Sequence, residues 1–82
     1  MDKRIGVIAI LVEGRGPSVV RVNELLSEYG HIIIGRLGIP YREKGVSVIS
    51  ITVEGTTDEV GALSGKLGMV SGVKTKSLLL TK

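Results

Sequence analysis

The chain contains no cysteine, no tryptophan and no phenylalanine. Without thiols, neither disulfide bridges nor thiolate-held metals can support the fold. Aromatic residues amount to 2%, namely Tyr29 and Tyr41, so a core must be filled by Val, Ile and Leu. No apolar run approaches the ~20 residues of a membrane-spanning helix. Lys3-Arg4 does precede an apolar run over residues 5–12, but Glu13-Gly14-Arg15 stands where a secretory leader would offer small residues for cleavage. A cytoplasmic location is expected, with no membrane contact. An excess of one charge is also missing. Eleven basic and 8 acidic residues are interspersed for a net charge of +3, which gives no indication of a nucleic acid or an anionic membrane as partner.

Glycine, by contrast, is abundant: 12 of 82 residues, about twice the usual ~7% share. The hydrophobic fraction is 43% and the charged fraction 23%, the balance of a globular protein rather than a disordered one. Residues 1–82 read as a single domain. A chain of this size buries only about 60% of the surface its unfolded form exposes. With no covalent or metal staple, oligomerisation is the remaining common support.

Turn signals cut the sequence into six elements. Residues 5–12 form a β-branched strand closed by Glu13-Gly14-Arg15-Gly16. Pro17 suits the first helical position, where its missing N–H costs nothing. From there to Tyr29 the period is helical, with Val19, Val22, Leu25, Leu26 and Tyr29 on one stripe and Gly30 as the stop. Residues 31–41 read as a strand with Gly35 and Gly38 as candidate bulges, and Pro40 marks it as an edge. The polar turn 42–45 leads into a strand over 46–54, completing a hairpin. Thr56 and Glu59 have capping-box spacing for a second helix, with Val60, Leu63, Leu67 and Val70 as its stripe. Gly61, Gly65 and Gly68 weaken that helix unless they let it lie close on the sheet. Residues 73–81 form the last strand. The order β-α-β-β-α-β is the ferredoxin-like α+β arrangement, a four-stranded antiparallel sheet with both helices on one face.

Such a sheet leaves its second face to water, so its strands should alternate apolar and polar. The first strand does not: Ile5, Val7, Ala9 and Leu11 point one way, and Ile8, Ile10 and Val12 the other. Ile32-Ile33-Ile34 and Leu78-Leu79-Leu80 repeat the violation. An exposed apolar sheet face marks an interaction site. The expectation is a homodimer or homotetramer built by sheet packing, with Ile8, Ile10 and Val12 as candidate interface residues.

Residues 13–18 are the segment most open to chemistry. They join a strand to a helix N-terminus, where unpaired N–H groups and the dipole favour an anion. Gly14 and Gly16 let a ligand approach the backbone, and Arg15 suits a carboxylate or phosphate. The Lys-Ser/Thr ending of a phosphate-binding P-loop is absent. His31 is the single histidine and cannot build a metal site without pooled ligands, so no metal and no cofactor are expected. Ser18 and Ser64 have no assignable His–acid pair. Glu13 and Glu54 each close a strand and could meet as paired carboxylates, but strand-end glutamates are usually solvated. Lys74 and Lys76 alternate on the last strand, which suits an edge guarded against strand addition.

The stretches Val12-Glu13-Gly14-Arg15-Gly16-Pro17-Ser18-Val19 and Leu25-Leu26-Ser27-Glu28-Tyr29-Gly30 resemble the opening half of ACT-type regulatory domains. With Ile34-Gly35-Arg36-Leu37-Gly38-Ile39-Pro40-Tyr41 and Gly72-Val73-Lys74, the whole chain resembles a small ACT-like family described as proposed regulators of an iron-only hydrogenase system. The resemblance implies oligomers built by sheet packing, with small effectors at subunit interfaces near the first strand–helix loop. Gly14, Arg15, Gly16 and Ser18 are the positions it carries over. The fold is also similar to the metal-sensing domain of nickel-responsive repressors. Those use several histidines and a cysteine behind a DNA-binding ribbon–helix–helix segment, so nickel sensing and direct DNA binding are not expected here. Acylphosphatase is a third resemblance, with Arg15 or Arg21 imitating its arginine. That enzyme needs an Asn on the hairpin strands, whereas the single Asn here is Asn23 on the first helix. The expectation is a non-enzymatic regulatory domain that senses a small anionic effector. The alternatives are a protein-interaction module without a ligand and a hydrolase of the acylphosphatase kind.

Overall fold

The computed structural model describes residues 2–14 and 16–81. Strand β1 (Arg4–Glu13) leads to helix α1 (Pro17–Glu28), and a 3-10 turn (Gly30–Ile32) leads into β2 (Ile33–Tyr41). A second 3-10 turn (Arg42–Lys44) precedes β3 (Val46–Gly55), α2 (Thr57–Gly68) and β4 (Val73–Leu79). The sheet order is β2-β3-β1-β4, antiparallel throughout. This is the expected ferredoxin-like α+β arrangement.

Both helices begin for local reasons. Gly16 precedes α1 at φ 108° and ψ −136°, a conformation closed to residues with a Cβ, and Pro17 supplies the first turn. Helix α2 starts at a complete capping box. The Glu59 N–H donates to Thr56 Oγ1 (3.1 Å), and the Thr56 N–H donates to Glu59 Oε1 (2.9 Å). Val22, Leu25 and Leu26 of α1 and Val60, Leu63 and Leu67 of α2 are buried, as their spacing requires. The second strand starts later than its β-branched residues suggest. The Ile32 N–H donates to Tyr29 O (3.0 Å), and this tight turn tucks Ile32 into the core. Its register irregularity falls between Ile33 and Gly35 rather than at Gly38.

The core is aliphatic and lies between the helices and one face of the sheet. That face is the one carrying Ile8, Ile10 and Val12, exposed by 0%, 1% and 1%. These three residues therefore do not form an outer interface, contrary to expectation. They pack under α1 and α2 with Ile49, Ile51 and Val53 of β3. The opposite parity is open, because Val7, Ala9 and Leu11 stand across from Thr52, Ser50 and Val48. Strand β2 is exposed from Ile34 to its end on both sides. Its helix-facing positions are Arg36, Gly38 and Pro40, across from Ile51, Ile49 and Ser47, and they offer little for a helix to pack against.

Gly61 and Gly65 do not bring α2 close to the sheet. Both are exposed, with no atom within 4 Å of a Cβ placed there. They cost the helix backbone entropy without a packing return. Gly61→Ala and Gly65→Ala should each raise stability by about 0.5–1 kcal/mol in urea unfolding, with an unchanged far-UV spectrum.

Candidate functional site

Three turns meet at one end of the sheet. The Glu13 N–H donates to Gly72 O (2.8 Å) and the Gly14 N–H to Gly45 O (2.9 Å), sewing the end of β1 to the turns before β3 and β4. Gly14 takes φ 74° and Gly16 φ 108°, left-handed values that fix the path into α1. Ser18 Oγ donates to Ser71 O (2.7 Å), so its hydroxyl ties α1 to the turn before β4. The Gly16 carbonyl accepts the Val20 N–H (3.2 Å). Arg15, the fourth position of the expected effector loop, lies outside the described residues. The donors of Gly14 and Ser18 are thus engaged in holding the loop.

Beside this loop lies a groove of about 240 Å³. Its floor is Val12, Ser47 and Ile49, and Val19 and Val22 of α1 form one wall. The other wall is β2 at Arg36, Gly38 and Pro40. The groove exists because β2 extends past the helix layer and because Gly38 has no side chain to fill it. Arg36 donates from Nη2 to Asn23 Oδ1 (3.1 Å), which holds its guanidinium at the groove between β2 and α1. Among the described residues no carboxylate pairs with it. An apolar trough with one fixed cation suits a small anion with an aliphatic body. Neither Arg36 nor the groove was legible as a site from local sequence, since both depend on where α1 leaves β2 uncovered.

The remaining candidates fall apart in space or serve the fold. Glu13 stands across from Val46 and Glu54 across from Ile5, at opposite ends of β1. Eight residues of strand separate them by about 26 Å, so they form no carboxylate pair. Ser18 lies in the first turn of α1 and His31 beyond its other end, and the helix between them is about 18 Å long. Arg21 pairs with Glu24 (3.3 Å) and approaches Glu28 (4.0 Å) on the exposed face of α1. Asn23 accepts from Arg36 on the helix side rather than standing on the hairpin.

His31 belongs to a fastening between the end of α1 and the start of α2. Its Nε2 lies 3.3 Å from Glu59 Oε2. Its ring stacks on Tyr29 with centroids 6.3 Å apart, and Lys66 Nζ stands 5.1 Å from the Tyr29 ring centre. No group of three or more His, Cys, Asp or Glu among the described residues could hold a metal ion. The Thr56 N–H at Glu59 holds that carboxyl below its ordinary value of 4.5, helped by His31 and the Thr56 hydroxyl and opposed by partial desolvation. A lowered carboxyl pKa contributes stability above the unfolded value and loses it as pH falls through the folded one. The stability difference between the wild type and Glu59→Gln should therefore be largest above pH 4.5. It should shrink steadily in urea titrations at lower pH.

Comparison with known proteins adds one family match and three structural likenesses. Residues 4–77 match the TM1266-like family, described as "Iron-only hydrogenase system regulator, putative". The structure of the uncharacterized protein TM1266 from Thermotoga maritima shares 40% identity and superposes with a TM-score of 0.95, over 98% of this chain and 100% of that one. The ACT domain of GTP pyrophosphokinase from Chlorobium tepidum shares the fold at 19% identity and a TM-score of 0.77, over 93% of this chain and 99% of that one. A formyltetrahydrofolate deformylase from Pseudomonas putida KT2440 shares it at 13% identity and a TM-score of 0.64, over 89% of this chain but 28% of that one. No curated protein matches the chain. Among the described residues no helix is long and apolar enough to cross a membrane.

Proposed function

The chain belongs to the TM1266-like family, and on that premise we propose that it is a regulatory domain sensing a small anionic effector in the groove between α1 and β2. Family and fold both support a regulatory role. The iron-only hydrogenase system named in the family description is the process we propose it serves. The observation that carries the effector reading is Arg36, a guanidinium held by Asn23 at the edge of a mainly apolar groove. A carboxylate would take the remaining N–H donors of Arg36, while a short aliphatic body would displace water from Val19, Val22 and Ile49. The effector loop moves accordingly from Gly14, Arg15, Gly16 and Ser18 to the groove beside it, which that loop supports.

A second reading, an interaction module with no small ligand, draws on the exposed Leu37, Ile39 and Leu78. The two readings separate in a thermal-shift series with straight and branched carboxylates of three to six carbons. Effector binding predicts stabilisation that grows with aliphatic length until the groove is full, because a ligand of the native state adds RT ln(1 + [L]/Kd). Arg36→Gln should weaken it by about tenfold or more, the worth of one charge-assisted hydrogen bond. Gly38→Val, which fills the groove from β2, should abolish it while leaving the fold intact. A flat response of the wild type to every acid would leave the ligand-free module as the reading.

A further inference from the structure

The groove beside α1 does not end at Pro40. Pro40 and Ser47 also line a second hollow, of about 220 Å³, at the end of the sheet where the turns meet. Arg42, Gly45 and Val46 complete it, with Gly14 from the end of β1. The two hollows are therefore neighbouring chambers of one trough that share Pro40 and Ser47. Alternate residues of a strand share a face, so Arg36, Gly38 and Pro40 form one row along the trough, and Arg42 follows in the turn. Arg36 lines one chamber and Arg42 the other, with about 18 Å of backbone between them. The ion pairs among the described residues join Arg21 to Glu24 and Glu28, and His31 to Glu59, so neither Arg36 nor Arg42 has a carboxylate partner. Glu13 and Glu43, acids close to the trough in sequence, line neither chamber.

We infer that the effector is an aliphatic dicarboxylate, with one carboxylate on Arg36, the other on Arg42 and a methylene chain between them. The inference rests on the effector reading and narrows it to one chemical class. A monocarboxylate meets one guanidinium and leaves the second to water. An α-amino acid brings an ammonium group into a trough lined by two cations and no acid, where it is repelled without compensation. A phosphate needs donors for three oxygens, and the turn amides beside Arg42 are already engaged. The Gly14 N–H donates to Gly45 O (2.9 Å), and the Gly45 N–H donates to Arg42 O (3.1 Å). Those two amides therefore make no anion-binding nest. A planar carboxylate is satisfied by a single guanidinium fork. Val12, Val19 and Ile49 in one chamber and Val46 in the other offer apolar surface to the methylenes. Two negative groups then meet two positive ones, and the chain joining them lies on aliphatic side chains.

The test is calorimetric titration of the wild type with straight acids and diacids of four to eight carbons. Ionic strength is held constant, because exposed charges are screened by salt. Suberate should bind about fivefold more tightly than octanoate, the worth of a second, partly exposed charged contact. Succinate, too short to reach both chambers, should gain nothing over butyrate. Adding an amino group, in 2-aminosuberate, should weaken binding by a similar factor relative to suberate. Arg42→Gln keeps the turn, since the Arg42 carbonyl and not its side chain accepts from Gly45. In that variant the gain should vanish, with octanoate binding at least as well as suberate. Arg36→Gln should weaken acid and diacid together. A wild type that binds octanoate as tightly as suberate overturns the dicarboxylate and leaves the effector reading standing. So does an Arg42→Gln variant that keeps the preference, or 2-aminosuberate binding as well as suberate. No binding of any acid overturns both.

Discussion

The central position of β1 is the constraint on which the rest of this domain depends. Its two hydrogen-bonding edges are taken by β3 and β4, and its helix-facing side chains, Ile8, Ile10 and Val12, form the middle of the core. Those three side chains and their neighbours must do what aromatic rings do in larger domains. Each fully buried Ile or Val is worth about 1.5–3 kcal/mol against its exposed state, so loss of one would remove a large part of a small domain's stability. Gly6 serves the same strand. A Cβ there would stand 2.6 Å from the Leu78 carbonyl oxygen, so β1 approaches β4 as closely as it does because residue 6 has no side chain.

With the helices committed to β1 and its neighbours, β2 is left uncovered on both sides. On the helix side this makes the groove with Arg36, and on the other it makes the ridge of Leu37, Ile39 and Tyr41. Successive residues of a strand point to opposite faces, so Arg36 and Gly38 belong to the groove and Leu37 and Ile39 to the ridge. The sequence Arg36-Leu37-Gly38-Ile39-Pro40-Tyr41 is thus one strand with two jobs. Edge strands are normally guarded against adding another chain. Here Pro40 removes one donor from the free edge, and the exposed surface that remains is on the faces.

Much of this was legible locally, and the failures share one cause. The α1 stripe, the Thr56–Glu59 capping box and the turn glycines are short-range patterns, and each appears where its residues place it. The start of β2 was misread by two residues because a 3-10 turn after Tyr29 outweighs the β preference of Ile32. The open face was misassigned because both parities of β1 are apolar, so β1 alone cannot say which side the helices take. The answer lies on β3, where Ser50, Thr52 and Glu54 share a face. Only the register Ala9↔Ser50, Val7↔Thr52 and Ile5↔Glu54 carries that polarity across to β1. Glu13 and Glu54 failed to meet for the same reason: antiparallel pairing sends two strand ends to opposite ends of the sheet. Arg36 and its groove need one further step, the knowledge that α1 stops short of β2.

A regulatory role asks for coupling, and β2 gives it a physical path. On the proposed reading an effector in the groove would pack against one side of β2, and any partner bound through the exposed Leu37 and Ile39 would pack against the other. Neither ligand shifts the other's equilibrium merely by binding tightly. The shift equals the difference in its affinity for the two positions of β2, and it is reciprocal. Strand β2 can take up such a difference because, among the described residues, the exposed Arg36–Asn23 bond is its one side-chain hydrogen bond to a helix, and the irregularity at Ile34 separates its outer part from the core-anchored Ile33. A β2 position that opens the groove for a longer acid would also change how Leu37 and Ile39 meet the partner. Effector length would then be read as affinity for that partner. A weak partner contact would make that readout sensitive, since a coupling of about 1–3 kcal/mol, typical of allostery, shifts a marginal complex widely and a tight one hardly at all.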